Sequence, residues 1–224
     1  MVKIGVIIPV VNVPMAEELL LCLSMGYVQP DYVYLVNNSG QEINVPLDFD
    51  RWGSPVGIET PAPVNASWNY GLNYYQKIRP VDLVAILNDD LLVGRDFLGR
   101  IADAYANNHW EHKPGCFCPQ TVKSKHNVGR GSTENPILPM HRREGWAMTL
   151  DADLLYQIPP IPSSLKTFCG DDWFWHHCYK LGRPWVKMVN NWIFHYGSTS
   201  VTKLGKQKDL KPEKEIFARC LSSM

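Results

Sequence analysis

The chain has 224 residues, which is enough for one substantial hydrophobic core. Hydrophobic residues make up 45% and charged residues 20% of the sequence, a balance that excludes an intrinsically disordered chain. The formal net charge is zero, so the overall field of the protein does not indicate a polyanionic partner. The apolar runs are too short to span a membrane and no secretory signal is visible, so we expect a cytoplasmic protein.

Strand and helix patterns alternate in the first half of the chain. Apolar runs rich in β-branched residues predict buried strands at 3–10, 32–36 and 81–87. Helical patterns follow these strands at 14–25, 65–78 and 95–107. Such an alternation predicts a mostly parallel central sheet that is covered by helices.

The second half of the chain has a less regular pattern. Short strands are predicted at 115–120, 146–150, 185–189 and 192–195, and helices at 171–181 and 210–221. No internal repeat and no linker composition is visible. We therefore predict a single α/β domain over residues 1–224.

Polar residues follow four of the predicted strands, at the point where each strand ends. These residues are Asn12, Asn37, Asn38, Asn88, Asp89, Asp90 and His195. Open α/β sheets bind ligands at the carboxyl ends of their strands, so we expect these side chains to converge on one crevice.

Asn88 and Asp90 are candidate ligands for a metal ion. They are two residues apart, so their side chains share one face of extended backbone. Their oxygen atoms suit Mg²⁺ or Mn²⁺ bound to a diphosphate. The alternative is a polar turn at a strand end, where Asn and Asp are common.

Two adjacent carboxylates, Asp171 and Asp172, open a predicted helix. The helix dipole favours carboxylates at this position, so a purely structural cap is one interpretation. The other interpretation is a general base that removes a proton from an attacking hydroxyl group. Trp146 and Trp173 lie near this segment in the sequence and offer rings that can stack on a sugar or a base.

Six segments resemble, in the right order, the motifs of family 2 glycosyltransferases, which have the GT-A nucleotide-sugar fold. The segments are IIPVVN at 7–12, VNNSG at 36–40, NYG at 69–71, LNDD at 87–90, GDDW at 170–173 and HYGS at 195–198. The LNDD segment is similar to the metal motif of rhamnosyltransferase-like members, in which Asn replaces the first Asp of DxD. The resemblance extends from about residue 3 to about residue 200.

The resemblance implies a role for each matched residue. Asp90 and His195 would bind Mn²⁺ or Mg²⁺, and Asp172 would be the base of an inverting transfer, with Asp171 beside it. The implied contacts of the nucleotide diphosphate sugar are Pro9, Val11, Asn12, Asn37, Asn38, Asn69, Asn88, Asp89 and Lys203. The implied acceptor contacts are Trp146 and Trp173.

The resemblance also implies a division of the single domain. Residues 1–110 would bind the nucleotide sugar, residues 111–202 would carry the acceptor and catalytic half, and residues 203–224 would form a tail. The predicted activity is that of a hexosyl- or pentosyltransferase. The acceptor stays open among a saccharide, a lipid-linked sugar, a protein and a modified nucleic-acid base, and the oligomeric state is not indicated.

Two other functions compete with this prediction. Asn37, Asn88 and Phe174 stand where the family has acidic residues, which is compatible with a catalytically decayed module that only binds carbohydrate or nucleotide. A sugar nucleotidyltransferase would need a glycine-rich phosphate loop after the first strand, and residues 10–18 contain no glycine. Asp90, Asp172 and His195 favour the glycosyltransferase.

Overall fold

The structure is a computed structural model that describes residues 1–45, 62–78, 80–107, 110–132, 136–140, 145–197 and 211–222. The strands are β1 Ile4–Val10, β2 Tyr32–Asn37, β3 Leu83–Leu87, β4 Leu91–Val93, β5 Cys116–Val122, β6 Ile137–Pro139, β7 Ala147–Asp151 and β8 Trp185–His195. The helices are α1 Val13–Ser24, α2 Val64–Lys77, α3 Phe97–Asn107, α4 Gly170–Lys180 and α5 Lys211–Ser222. None of these described helices is long and apolar enough to cross a lipid bilayer.

The described strands form one eight-stranded sheet in the order β2-β1-β3-β7-β5-β8-β4, with β6 paired to β8. Strands β1, β2, β3, β5 and β8 run in one direction, and β4, β6 and β7 run in the other. This arrangement confirms the predicted α/β class with a mostly parallel sheet. Strands from both halves of the chain share the sheet, because β4 pairs with β8.

Strand β1 explains the continuous apolar run at the start of the sequence. All seven of its residues are buried. On one face, Ile8 packs into a cluster that includes Leu20 of α1 and Phe97 of α3. On the other face, Ile7 packs into a cluster that includes Trp68 of α2 and Phe174 of α4. A strand that is covered on both faces needs apolar residues at every position.

The structure differs from the sequence prediction at three strands. The strands predicted at 185–189 and 192–195 are one strand, β8, whose register with β5 shifts between Pro119 and Gln120. The two remaining differences are β4 and β6, which the sequence did not predict. Each of them has three residues, which is too few to show a period of two.

The hydroxyl group of Tyr75 fastens α2 to the centre of the sheet. It accepts a hydrogen bond from the backbone N–H of Val6 (3.0 Å) and lies 2.9 Å from the carbonyl oxygens of Val6 and Tyr32. Burial raises the pKa of this hydroxyl, so it remains a donor at physiological pH. Gly5 makes room for the ring, because a Cβ atom on Gly5 would lie 2.5 Å from Tyr75.

We expect Tyr75→Phe to lower the free energy of unfolding by about 1–3 kcal/mol, because it leaves buried backbone groups of β1 without their partner. Urea denaturation of the wild type and the variant measures this difference. Tyr70→Phe on the same helix is the matched control, since Tyr70 is 48% exposed. Equal stability of the two variants would show that the Tyr75 hydroxyl does not hold the helix.

Candidate functional site

The four polar segments that follow predicted strands lie at the same edge of the sheet. Strands β1, β2, β3 and β8 run in the same direction, so their carboxyl ends meet at this edge. Val10 pairs with Asn37, and the N–H of Asn38 donates to the carbonyl oxygen of Val10 (2.8 Å). The edge is therefore the candidate site that the sequence pattern predicts.

Asp90 and His195 face each other because of the pairing of β4 with β8. Leu91 is opposite His195 in this antiparallel pair, and the N–H of Tyr196 donates to the carbonyl oxygen of Asp90 (3.0 Å). Nε2 of His195 lies 3.2 Å from Oδ1 of Asp90. The side chains are 15% and 1% exposed, respectively. The structure thus brings together the two residues predicted to bind a metal ion.

The Asp90–His195 pair fits a divalent cation. Two ligands on one octahedral ion at ~2.1 Å are themselves about 3 Å apart, close to the observed separation of these two atoms. Nε2 of His195 is buried and makes no hydrogen bond within the described residues, so no protein donor or acceptor among them occupies this nitrogen.

No cluster of three or more His, Cys, Asp or Glu side chains in the described residues is arranged to hold a metal ion. Asp90 and His195 are the pair that this edge presents within the described residues. Mg²⁺ and Mn²⁺ take much of their coordination from substrate phosphates and water.

Trp146 lies between the Asp90–His195 pair and the rest of the sheet. Its ring stacks on the imidazole of His195, with the ring centroids 5.1 Å apart and the planes inclined by 16°. Its indole N–H donates to Oγ1 of Thr121 (3.1 Å), which fixes the orientation of the ring. Its carbonyl oxygen accepts a hydrogen bond from the N–H of Asn88 (2.9 Å). The predicted acceptor residue Trp146 is therefore also the neighbour that orients His195.

The first carboxylate of α4 lies close to this group. A Cβ atom on Gly145, the residue before Trp146, would lie 3.0 Å from Cβ and Cγ of Asp171. Only glycine fits beside Asp171 at this point without a shift of the neighbouring atoms. Burial, together with the neighbouring carboxylate of Asp172, raises the pKa of the Cys169 thiol to about 12, so the thiol stays protonated at neutral pH.

Asp89 is 1% exposed, and its Oδ2 atom accepts hydrogen bonds from the N–H groups of Val11 (2.7 Å) and Asn12 (2.6 Å). It therefore binds the backbone after β1. Asp89 and Asp90 lie in the turn between β3 and β4, where the sequence pattern predicted extended backbone. The contact of Asp89 with the nucleotide sugar stays a prediction.

The other predicted nucleotide-sugar residues of the first half occupy distinct positions. Pro9 is buried within β1, Val11 is half-buried, and Asn12 is 7% exposed at the start of α1. Asn37 closes its own turn, because Oδ1 accepts from the N–H of Ser39 (3.0 Å) and Nδ2 donates to the carbonyl oxygen of Gln41 (2.7 Å).

Asn38 joins the end of β2 to the start of α2. Its Oδ1 atom accepts from the N–H of Ala62 (2.7 Å), and its Nδ2 atom donates to Oγ of Ser67 (3.2 Å). Half-buried Asn88 remains beside Trp146 at the edge. These contacts fix the backbone at this edge of the sheet.

Asn69 and Trp173 do not join the edge in the described structure. Asn69 bonds through both side-chain atoms to the backbone of Ile161 (2.8 and 3.0 Å). Trp173 is 2% exposed, and its indole N–H donates to the carbonyl oxygen of Pro159 (2.9 Å). A ring in this position belongs to the core, so Trp173 does not border an acceptor in this structure. Lys203 lies outside the described residues.

A cavity of ≈ 410 Å³ lies on another part of the surface, between α2 and residues 154–160. Leu72, Gln76, Leu155 and Phe174 are among the residues that line it, and Asn69 is the one predicted nucleotide-sugar residue that does so. Most of the polar side chains of this cavity already bond to the protein backbone. The cavity is separate from the edge where the predicted site residues meet, because its lining does not include Asp90, Trp146 or His195.

Sequence reasoning missed three residues that shape the site: Thr121, Gly145 and Cys169. A glycine directly before a tryptophan was a usable signal for close packing at Gly145. Cys169 has a positive φ of 60° immediately before α4, and this backbone conformation has no signal in the residue type. Thr121 lies on β5, and the sequence alone does not show that this strand lies beside Trp146.

Comparison with known proteins identifies the fold. No protein-family model and no curated protein matches the sequence. Among solved structures, residues 1-349 of S. aureus TarS superpose with a TM-score of 0.61 at 16% identity, covering 90% of this chain and 63% of that one. The chain therefore spans less than two thirds of the TarS fragment.

Two further structures are similar. A mannosyltransferase from Pyrobaculum calidifontis, in complex with GDP-Man and Mn²⁺, has a TM-score of 0.58 at 17% identity, covering 95% of this chain and 68% of that one. GalNAc-T7 with UDP, GalNAc and Mn²⁺ has a TM-score of 0.65 at 8% identity, covering 87% of this chain and 43% of that one. The chain thus has the predicted GT-A fold of nucleotide-sugar glycosyltransferases.

Proposed function

We propose that the chain is a metal-dependent glycosyltransferase of the family 2 type, with the rhamnosyltransferase-like form of the metal motif. It transfers a sugar from a nucleotide diphosphate sugar to an acceptor hydroxyl group with inversion at the anomeric carbon. The observation that carries this proposal is the continuous contact from Asp90 through His195, Trp146 and Gly145 to Asp171. It joins the candidate metal pair to Asp171, the residue before the candidate base Asp172.

The similar structures support the choice of donor and metal ion. The mannosyltransferase was solved with GDP-Man and Mn²⁺, and GalNAc-T7 with UDP and Mn²⁺. At these low identities the similarity indicates the fold alone, so the donor class enters here as part of the proposal. The fit of Asp90 and His195 to a divalent cation is the independent support from this chain.

In the proposed reaction, Asp172 removes the proton of the acceptor hydroxyl group while its oxygen attacks the anomeric carbon. The bond between that carbon and the diphosphate oxygen breaks, and the nucleoside diphosphate leaves on the opposite face. Asp90 and His195 would hold Mn²⁺ or Mg²⁺, which when bound offsets the negative charge of the diphosphate. Trp146 orients His195 and borders the acceptor, and Lys203 adds positive charge near the donor.

The remaining assignments follow from the same proposal. Pro9, Val11, Asn12 and Asn37 surround the nucleotide base, and Asn88 lies toward the ribose. Residues 1–110 and 111–202 are the donor and acceptor halves of one domain, followed by the tail 203–224. The protein acts in the cytoplasm. The nucleotide, the sugar and the acceptor are to be identified by experiment.

We expect a nucleotide sugar to raise the melting temperature of the wild type only when Mn²⁺ is present. A ligand at a hundred times its Kd stabilises a protein by ~2.7 kcal/mol, which is a rise of about 5–10 °C for a chain of this size. A thermal-shift panel of nucleotide sugars with and without Mn²⁺ measures this, and the rise should vanish in Asp90→Ala.

Asp103→Ala is the control for the thermal-shift panel, because Asp103 is an exposed carboxylate on α3. It should retain the Mn²⁺-dependent rise. A folded wild type that responds to no nucleotide sugar would count against the donor site. A response without any turnover of the donor would favour the alternative, a module that only binds nucleotide sugar.

Asp172→Asn should lower turnover of the donor by about 10²–10⁴-fold while leaving the Kd of the donor nearly unchanged, because it removes the base and keeps the shape. Turnover is measured as release of nucleoside diphosphate, with water as the acceptor until the natural one is known. Asp103→Asn provides the matched isosteric control.

Asp171→Asn tests which of the two carboxylates is the base. We expect its loss to affect turnover less than the loss of Asp172, because the family motif puts the base at Asp172, although Asp171 is the carboxylate that packs against Gly145. If only Asp171→Asn abolishes turnover, the assignment of the base to Asp172 is wrong.

Asp89→Ala should destabilise the protein without any ligand, by about 2–4 kcal/mol, because two buried N–H groups lose a charged acceptor. Chemical denaturation at neutral pH measures the change. Asp103→Ala serves as the comparison, since Asp103 is an exposed carboxylate on α3. A stable Asp89→Ala that fails to bind the donor would instead indicate a direct contact between Asp89 and the donor.

A further inference from the structure

We propose that Glu213, on the C-terminal helix α5, is a positioning residue for the carboxylates of α4. The inference rests on the proposed function, in which Asp172 is the base. It adds a residue from the tail of the chain, which the sequence motifs do not include. Glu213 does not approach the crevice itself, and it acts through the backbone that leads into α4.

Glu213 binds the segment that precedes α4. Its carboxylate accepts hydrogen bonds from the N–H of Thr167 (3.1 and 3.2 Å to the two oxygens) and from the N–H of Phe168 (2.8 Å). Bonds between a carboxylate and backbone N–H groups are stronger than neutral ones, so this contact restrains both peptide units. The next residue is Cys169, and α4 begins immediately after it.

The opposite side of the same segment is held by Asn65 at the start of α2. Its Nδ2 atom donates to the carbonyl oxygens of Leu165 (3.1 Å) and Phe168 (2.9 Å). Its backbone N–H donates to the carbonyl oxygen of Lys166 (3.1 Å). Residues 165–168 are thus fixed between α2 and α5, with Asn65 taking the carbonyl groups and Glu213 the N–H groups.

This restraint matters because of the backbone conformation at Cys169. Its φ of 60° is unusual for a residue with a side chain, and the residue is 4% exposed. A strained conformation persists only where the surrounding contacts enforce it. Cys169 directly precedes α4, whose first turn carries Asp171 and Asp172, so a change in the backbone at Cys169 shifts the start of the helix that carries the proposed base.

Helix α5 is held against the core by its partly buried apolar residues. Ile216, Phe217 and Leu221 contact the core cluster that contains Phe174 of α4. Glu213 is half-buried, whereas Glu215 on the same helix is exposed. Glu213 also lies in the first turn of α5, where any carboxylate stabilises a helix through its dipole. That purely structural role predicts a loss of stability and no selective loss of turnover.

The test compares Glu213→Ala and Glu213→Gln with the matched control Glu215→Ala. The readouts are kcat for release of nucleoside diphosphate, with water as the acceptor, and the Kd of the nucleotide sugar with Mn²⁺. We expect Glu213→Ala to lower kcat by about 10- to 100-fold with Kd unchanged, because small displacements of a catalytic group cost up to ~100-fold. Glu213→Gln keeps one accepting oxygen and should fall between Glu213→Ala and the wild type.

Each other outcome overturns the inference. A folded Glu213→Ala with kcat within about twofold of Glu215→Ala contradicts it, and so does an equal loss of kcat and affinity, which would indicate a general structural role. If Glu213→Ala does not fold, Glu213→Gln decides by the same criteria. If Asp172→Asn abolishes turnover but the Glu213 variants retain it, this inference alone is refuted. If the wild type shows no turnover, the proposed function is refuted as well.

Discussion

The arrangement of the site depends on the buried carboxylate of Asp89. Two backbone N–H groups after β1 donate to one of its oxygens, so the charge is satisfied without solvent. Because Asp89 follows β3, this contact holds the ends of β1 and β3 at a fixed separation. Asp90 is the next residue along the chain. The hydrogen bonds that hold the backbone of Val11 and Asn12, proposed to surround the nucleotide base, therefore also position the candidate metal ligand Asp90.

The candidate site at the edge of the sheet is assembled by contacts between residues that are far apart in the sequence. The register of β4 with β8 sets Leu91 opposite His195, which brings Asp90 beside the imidazole, and the ring of Trp146 stacks on that imidazole. Gly145 then allows Asp171 at the start of α4 to come close. These contacts link the proposed metal pair to the helix that carries the proposed base.

The sequence predicted the parts of this frame that depend on long apolar runs. The buried runs of β1 and β3 were clear, and the polar residues after them do meet at one edge of the sheet. It could not predict β4, because three residues show no periodicity, and without β4 the contact of Asp90 with His195 has no geometric basis. The positions of Asp89 and Trp173 depend on how a turn or a helix packs against the core, which polarity and aromaticity alone do not show.

The pairing of β8 has a consequence for the order in which the protein folds. Strand β8 lies between β5 and β4, so β4 has no neighbour in the sheet until β8 is in place. During synthesis the first three strands are available for pairing long before β8 emerges, and closing that long loop is slow. Asp90 and His195 therefore meet only late in folding. A nascent chain in which β1, β2 and β3 have already paired does not yet contain the Asp90–His195 pair.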